Sequence, residues 1–158
     1  MRDDLSTRLS LLTRREVEAR ILAPLLEAVA EECGEDKMLD LLHSAITRIA
    51  CEQGRGLAAR LGGNSLTDFA RSVAQWTQDD ALEIEVLEQT GEVLAFNVTR
   101  CCYAEMYEAL GLRSLGRTLS CARDAAMVRG FNPEIELHRT QTIMEGAAHC
   151  DFVYRLRR

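Results

Sequence analysis

No stretch of this sequence is apolar for anything near the roughly 20 residues that a bilayer span requires. Its first residues, Met1-Arg2-Asp3-Asp4, carry acid where an export signal has an uninterrupted apolar run. The chain is therefore expected in the cytoplasm, with no membrane partner. A surplus of positive charge is missing too. The 19 Lys and Arg face 25 Asp and Glu, for a net charge of −6, whereas phosphate backbones are bound by an excess of Lys and Arg. Nucleic acid is not an expected partner, and the cluster Arg155, Arg157 and Arg158 reads as a solvated end. There is no Gly-rich phosphate loop, no paired-His zinc helix and no nucleophile elbow. No cysteine pair has the CxxC spacing of a common zinc site. Internal repeats, low-complexity stretches and interdomain linkers are also lacking, so residues 1–158 are expected to form a single domain. Its helical part spans about 1–78 and its sheet-containing part about 81–158.

What is present is an ordinary globular composition. The 158 residues are 47% hydrophobic and 28% charged, enough to bury a real core. Six cysteines in a chain without an export signal point to buried, catalytic or metal-binding thiols rather than disulfides. Cys33 and Cys51 belong to the helical part, while Cys101, Cys102, Cys121 and Cys150 belong to the other.

The period of the apolar residues divides the chain into elements. Thr13 and Glu16 have capping-box spacing, and Val17, Ile21, Leu25 and Val29 follow at helical intervals, widened by Leu22 and Leu26. Pro24 is expected to kink this helix and Gly34 to end it. Leu5, Leu9 and Leu12 suggest a helical turn in front. A second helix is expected from about Glu35 to Leu61, with Leu39, Leu42, Ile46, Ile49 and Leu57 on its apolar face and Gly62-Gly63 as its stop. Ser65 and Asp68 cap a third, whose stripe is Leu66, Phe69, Val73 and Trp76. Leu82, Ile84 and Val86 then alternate with Glu83 and Glu85, the mark of a half-buried strand. Gln89 to Glu92 reads as a turn and Val93 to Thr99 as the antiparallel partner. Helical spacing returns from Cys102 to Leu110 and from Ser114 to Arg129, broken at Gly111 and closed by Gly130 and Asn132-Pro133. Two strands are expected to follow, Ile135 to Ile143 and Cys150 to Leu156, with a turn at Glu145-Gly146. This order predicts an α+β fold: N-terminal helices followed by a four-stranded antiparallel sheet interrupted by a helix pair.

Chemistry-bearing side chains gather in the second half. Arg100-Cys101-Cys102-Tyr103 falls where a strand gives way to a helix, and a thiol there meets the positive end of the helix dipole, which lowers its pKa. Cys121 and Asp124 lie three apart on a helix and share a face. Cys150 and Asp151 are strand neighbours and point to opposite faces. His43, beside Leu42 and three residues before Ile46, reads as a core histidine. Asn97-Val98-Thr99 has the form of a glycosylation acceptor but carries no meaning in a cytoplasmic strand. With Arg100, Arg139, His138 and His149 nearby in sequence, two arrangements are open. In one, a thiolate attacks an electrophilic carbon while an acid handles protons; in the other, Cys101, Cys121, Cys150 and His149 bind a metal.

Taken together, Arg100-Cys101, Tyr103-Ala104-Glu105, Tyr107, Leu110-Gly111, Leu115-Gly116, Cys121, Asp124, Gly130 to Pro133, Arg139 to Thr142, Glu145-Gly146 and Cys150-Asp151-Phe152 resemble the L-2-amino-thiazoline-4-carboxylic acid hydrolase family over about residues 93–155. Cys102 stands where that pattern has proline. The resemblance implies a hydrolase that opens a small carboxylated cyclic amidine by attack on the ring carbon between sulfur and nitrogen, giving N-carbamoyl-cysteine from its namesake substrate. Cys101, Cys121 or Cys150 would be the nucleophile and Asp124 the acid/base; Arg100, Tyr103, Arg139, Thr142 and Asp151 would contact substrate. No cofactor or metal is then required. A fainter likeness to 4-vinyl-reductase-like domains implies instead a non-catalytic ligand-binding or sensor domain, often paired through its N-terminal helices. Here Leu39, Leu42, Ile46 and Ile49 could serve such a homodimer. A Cys-rich metal-binding protein is the remaining alternative.

Overall fold

A computed structural model describes residues 9–157, so Leu5 and Arg158 lie outside the described residues. Helix α1 runs from Leu11 to Cys33 and α2 from Glu35 to Leu61. Ser10, not Thr13, caps α1: the Ser10 hydroxyl accepts from the Thr13 N–H at 3.2 Å. Glu16 pairs with Arg20 one turn on, at 2.7 Å, instead of closing a capping box. Pro24 lies inside α1 without ending it. Gly34, at φ 87°, separates α1 from α2 in a conformation that L side chains rarely adopt.

Helix α3 (Leu66–Val73) begins with the expected Ser65–Asp68 capping box. The α-helical stripe read through Trp76 stops early, because Ala74–Asp80 tightens into a 3-10 segment. Trp76 is nonetheless buried. Strands β1 (Leu82–Gln89) and β2 (Val93–Cys101) form the hairpin. Val86 is exposed, and the register of β1 slips on both sides of it, between Glu83 and Ile84 and between Val86 and Glu88. Helix α4 is Cys102–Ala109. The second member of the helix pair is composite: α5 (Arg113–Gly116), a π-helical turn (Arg117–Cys121) and α6 (Ala122–Phe131).

Strand β3 is shorter than expected, Ile135–His138. Residues 139–142 leave the sheet because Asp151 draws the chain aside. Its carboxylate accepts from the backbone N–H groups of Thr140 and Gln141, each at 2.9 Å. Ile143–Glu145 then forms a 3-10 turn and β4 spans Cys150–Leu156. The sheet is antiparallel in the order β1-β2-β4-β3, which makes the molecule a mixed α+β fold with its helices leading, as expected.

Two apolar clusters fill the interior. One lies between the sheet and the helices and contains Phe69, Phe96, Phe131, Phe152 and Tyr154. The other lies among α1, α2, α4 and the composite helix and contains Ala19, Leu42, Ile46, Tyr107 and Leu119. Cys101 and Ile143 pack against both. Of the four side chains considered for dimer contacts, Leu42 and Ile46 are buried within the chain, Leu39 packs against the second cluster and Ile49 is exposed. The stripe expected on α1 is corrected: Val17, Ile21 and Leu25 are exposed, and the buried side carries Arg15, Ala19, Ala23 and Leu26. Helices α2 and α6 approach until backbones meet: a Cβ on Gly54 would stand 2.0 Å from the Met127 carbonyl oxygen, and one on Gly130 would stand 2.0 Å from that of Cys51. Gly130 therefore does not end α6, which continues to Phe131; it permits the crossing. Among the described residues no helix is long and apolar enough to cross a membrane.

Candidate functional site

Three elements wall an open cleft of about 630 Å³: α2 with Asp40 and His43, the π-helical turn with Arg117 and Cys121, and residues 139–142 with Arg139 and Thr142. Each wall has a local cause. The π turn widens one helical turn by an extra residue, a distortion common at functional sites, and it delivers Cys121 to the cleft. Residues 139–142 are held in irregular form by Asp151. His43, read from the sequence as a core side chain, is exposed on the cleft wall. It occupies the edge of the apolar stripe, where one step of rotation moves a side chain from core to solvent.

Behind the cleft wall sits Asp124. Its carboxylate accepts from Arg139 Nη1 at 2.5 Å, with the two side chains only 21% and 16% exposed. Arg139 also donates to the Cys121 carbonyl at 3.1 Å, and its guanidinium lies over the Phe152 ring, 5.0 Å from the centroid. Burial pushes the Asp124 carboxyl above its ordinary range, against the pull of Arg139 and, more weakly, Arg15 and Arg123. Arg139 is raised in turn: burial opposes its charge, and Asp124 outweighs that.

The three thiols lie within electrostatic reach of this carboxylate. Cys121 responds electrostatically to Asp124, Arg139, Cys101 and Cys150; Cys101 responds to Cys150 and Asp124; Cys150 responds to Arg139 and Asp124. All three are pushed up, not down. Burial dominates at Cys101, which reaches about 11 although its sulfur caps α4 by accepting from the Ala104 N–H at 3.4 Å. The expected activation by the helix terminus is therefore overturned: the position is right, but desolvation of a thiolate outweighs the dipole. Burial likewise raises Cys121. It also raises Cys150, whose sulfur accepts from the Ile143 N–H at 3.2 Å.

The remaining candidates are distributed unevenly. Tyr103 is buried, its hydroxyl donates to the Trp76 carbonyl at 3.5 Å, and it responds to Cys101 and Asp124. Thr142 lines the cleft and is bonded to Glu145 Oε2 at 2.8 Å. Asp151 organises the 139–142 segment from behind. Burial acts upward on its carboxyl, but hydrogen bonds from Thr140 and Gln141 hold it below the ordinary carboxylate value. Arg100 is apart from the cleft, forked onto Glu105 at 2.8 and 3.0 Å on the surface. Cys102 donates to the Asp80 carbonyl at 3.4 Å, away from the other thiols. Among the described residues no three His, Cys, Asp or Glu side chains gather as metal ligands. His149 instead faces Gln141 Nε2 at 3.1 Å.

Sequence reasoning missed a set of interior cations. Arg15 and Arg123 are 6% and 7% exposed, and both bond Glu18, at 2.9 and 3.1 Å. Arginine is almost always read as surface, and nothing in local spacing marks these two as buried.

The same architecture occurs in solved structures of low sequence identity. The chain aligns with a trafficking protein particle complex subunit 3 from Naegleria fowleri, covalently bound to palmitic acid, at 10% identity and a TM-score of 0.55, covering 92% of this chain and 96% of that one. It also aligns with the phenol-responsive sensory domain of the transcription activator PoxR with phenol, at 9% identity and a TM-score of 0.55, covering 86% and 73%. At such identities the likeness is one of fold. No curated protein matches the sequence. A family-level match is extensive, reaching well beyond the motif-rich second half into α1 and covering residues 14–154. On that span, the chain belongs to the L-2-amino-thiazoline-4-carboxylic acid hydrolase family.

Proposed function

We propose that the protein is a hydrolase that opens a small carboxylated cyclic amidine such as 2-amino-thiazoline-4-carboxylate. The observation that carries this reading is the gathering of Asp124, Arg139 and three thiols, from separate parts of the chain, beside an open cleft of about 630 Å³. In the reaction, the oxygen of water bonds to the ring carbon between sulfur and nitrogen, and the carbon–sulfur bond breaks. One proton of water finishes on the ring nitrogen and the other on the sulfur, leaving N-carbamoyl-cysteine.

Of the two routes open from the sequence, attack by water activated at a carboxylate is favoured over attack by a thiolate. Cys101, Cys121 and Cys150 all have raised pKa values and carry little thiolate near neutral pH. Asp124, whose carboxyl burial holds above its ordinary range, suits proton exchange with water and then with the leaving sulfur. Arg139 fixes the Asp124 carboxylate and is a positioning residue. Cys121 and Thr142 face the cleft and contact the ring.

The test is a panel of cyclic amidines, thiazolines and lactams incubated with the purified protein. Mass spectrometry reads the addition of one water, and a thiol reagent reads released sulfhydryl. Turnover of a carboxylated thiazoline with thiol release supports the proposal; an inert panel overturns it. A second reading, a non-catalytic ligand-binding domain, is favoured by one observation: the two solved chains of this fold described above each hold an organic ligand. Saturable binding without any mass change would select it.

A further inference from the structure

The interior beyond Asp124 carries more positive than negative charge. Arg15 and Arg123 are more than nine-tenths buried and share one carboxylate, Glu18, itself 38% exposed. Arg139 uses Asp124. Arg14, on the turn before Glu18, has a buried Nε with no partner among the described residues. Among the described residues, four guanidiniums thus stand against two carboxylates in one connected region. Buried charges are normally paired, and here the pairing is incomplete.

The unpaired atoms identify where the deficit lies. Arg123 donates through Nε to the Leu119 carbonyl at 2.7 Å and through Nη2 to Glu18 at 3.1 Å, but its Nη1 has no partner among the described residues. The Tyr107 hydroxyl, on a side chain with no exposure, has none among them either. Tyr107 responds electrostatically to Arg15, Arg123 and Glu18 on one side and to Cys121 on the other. It therefore lies within electrostatic reach of both the arginine cluster and the thiol that reaches the cleft, and it shares an apolar cluster with Leu119, against which Cys121 packs. A guanidinium N–H and a phenol O–H without partners, in a region of surplus positive charge, are the donor set of a carboxylate site.

We propose that Arg123 Nη1 and the Tyr107 hydroxyl bind the carboxylate of the ligand, with Arg15 as the second cation, and that this holds the attached ring beside Cys121 and Asp124. The choice of ligand rests on the hydrolase reading; the anion site itself rests on the unpaired donors. Arg123, rather than Arg100 or Arg139, is the carboxylate partner because it keeps a buried N–H without a partner among the described residues, whereas Arg100 is forked onto Glu105 at the surface and Arg139 is held by Asp124.

Calorimetry on the full chain tests this with matched probes: 2-amino-thiazoline-4-carboxylate against 2-amino-thiazoline, and thiazolidine-4-carboxylate against thiazolidine. The wild type is expected to bind at least one carboxylated ring about tenfold or more tightly than its uncarboxylated counterpart. Tyr107→Phe removes only a hydroxyl that has no protein partner and preserves folding. It should weaken binding of the carboxylated ring about fivefold to tenfold and leave the bare ring unchanged. Arg123→Gln should abolish the preference. Equal affinity for both rings in the wild type, or Tyr107→Phe and Arg123→Gln proteins that keep the full preference, would overturn the site. So would a lack of binding to any of the four probes. Carboxylate-selective binding that needs Tyr107 but leads to no turnover would leave the site standing and sink the hydrolase; turnover indifferent to the carboxylate would do the reverse.

Discussion

At the scale of single residues, burial outweighs local dipoles. Cys101 occupies the helix-capping position that its sequence promises, yet its thiol is raised to about 11. A thiolate in that apolar seam would lose more solvation than one backbone N–H returns. Sequence shows the cap but not the depth. The sign of the consequence is plain. A thiol with a raised pKa holds its proton at neutral pH and ionises only as the pH climbs toward that value. Alkylation of the native protein with iodoacetamide at pH 7.5, read by mass spectrometry, should therefore modify exposed Cys33 first and Cys101, Cys121 and Cys150 far more slowly. The Cys101 rate should rise about tenfold per pH unit up to about pH 11. Rapid neutral labelling of Cys101 or Cys121 would restore the thiolate route. The buried pair Arg15 and Arg123 was illegible for the converse reason: an arginine is recognised as interior only once its partners, here Glu18 and the Leu119 carbonyl, are placed by the fold.

At the scale of elements, what the sequence displays well is period. Helices α1 to α3, the β1–β2 hairpin and β4 lie along the chain where the apolar spacing puts them, but α1 buries Ala19, Ala23 and Leu26 and turns the expected stripe of Val17, Ile21 and Leu25 to solvent. What it displays poorly is a break caused from elsewhere. Residues 139–142 fall inside the strand expected from Ile135 to Ile143, yet Asp151 on the neighbouring strand takes the backbone N–H groups of Thr140 and Gln141 and bends the segment into the cleft wall. The π turn ending at Cys121 adds one residue to a helical turn and leaves no compositional trace. Helix α2 offers a sharp test of the packing account through two glycines of opposite meaning. Gly54 lies against the Met127 carbonyl, so Gly54→Ala forces α2 and α6 apart and should destabilise the protein by about 1–3 kcal/mol or more in denaturant unfolding. At Gly56 the nearest atom is 3.4 Å away, at the mobile tip of Arg60. Gly56→Ala should stabilise the protein by about 0.5–1 kcal/mol through helix propensity. Equal effects at the two positions would show that the helices are not in backbone contact.

At the scale of the whole molecule, the fold draws together groups that the chain keeps far apart. Asp124 from α6, Arg139 from the segment after β3, Cys101 from the end of β2 and Cys150 from the start of β4 meet where the two apolar clusters join. The sequence showed which residue types to watch in this half and the family they resemble. It did not show that Arg100 is spent on Glu105, or that His43 stands on the cleft wall. The central claim is that the Asp124 carboxylate moves protons for an attacking water. Asp124→Asn keeps the side chain's shape and a hydrogen-bond acceptor for Arg139 while removing the basic oxygen pair. The most direct measurement compares turnover and ligand affinity of this variant with the wild type on the best carboxylated substrate of the panel. The account predicts a fall in turnover of about 100-fold or more with ligand affinity largely kept; turnover within about threefold of the wild type, less than the contribution expected of any general base, would contradict it.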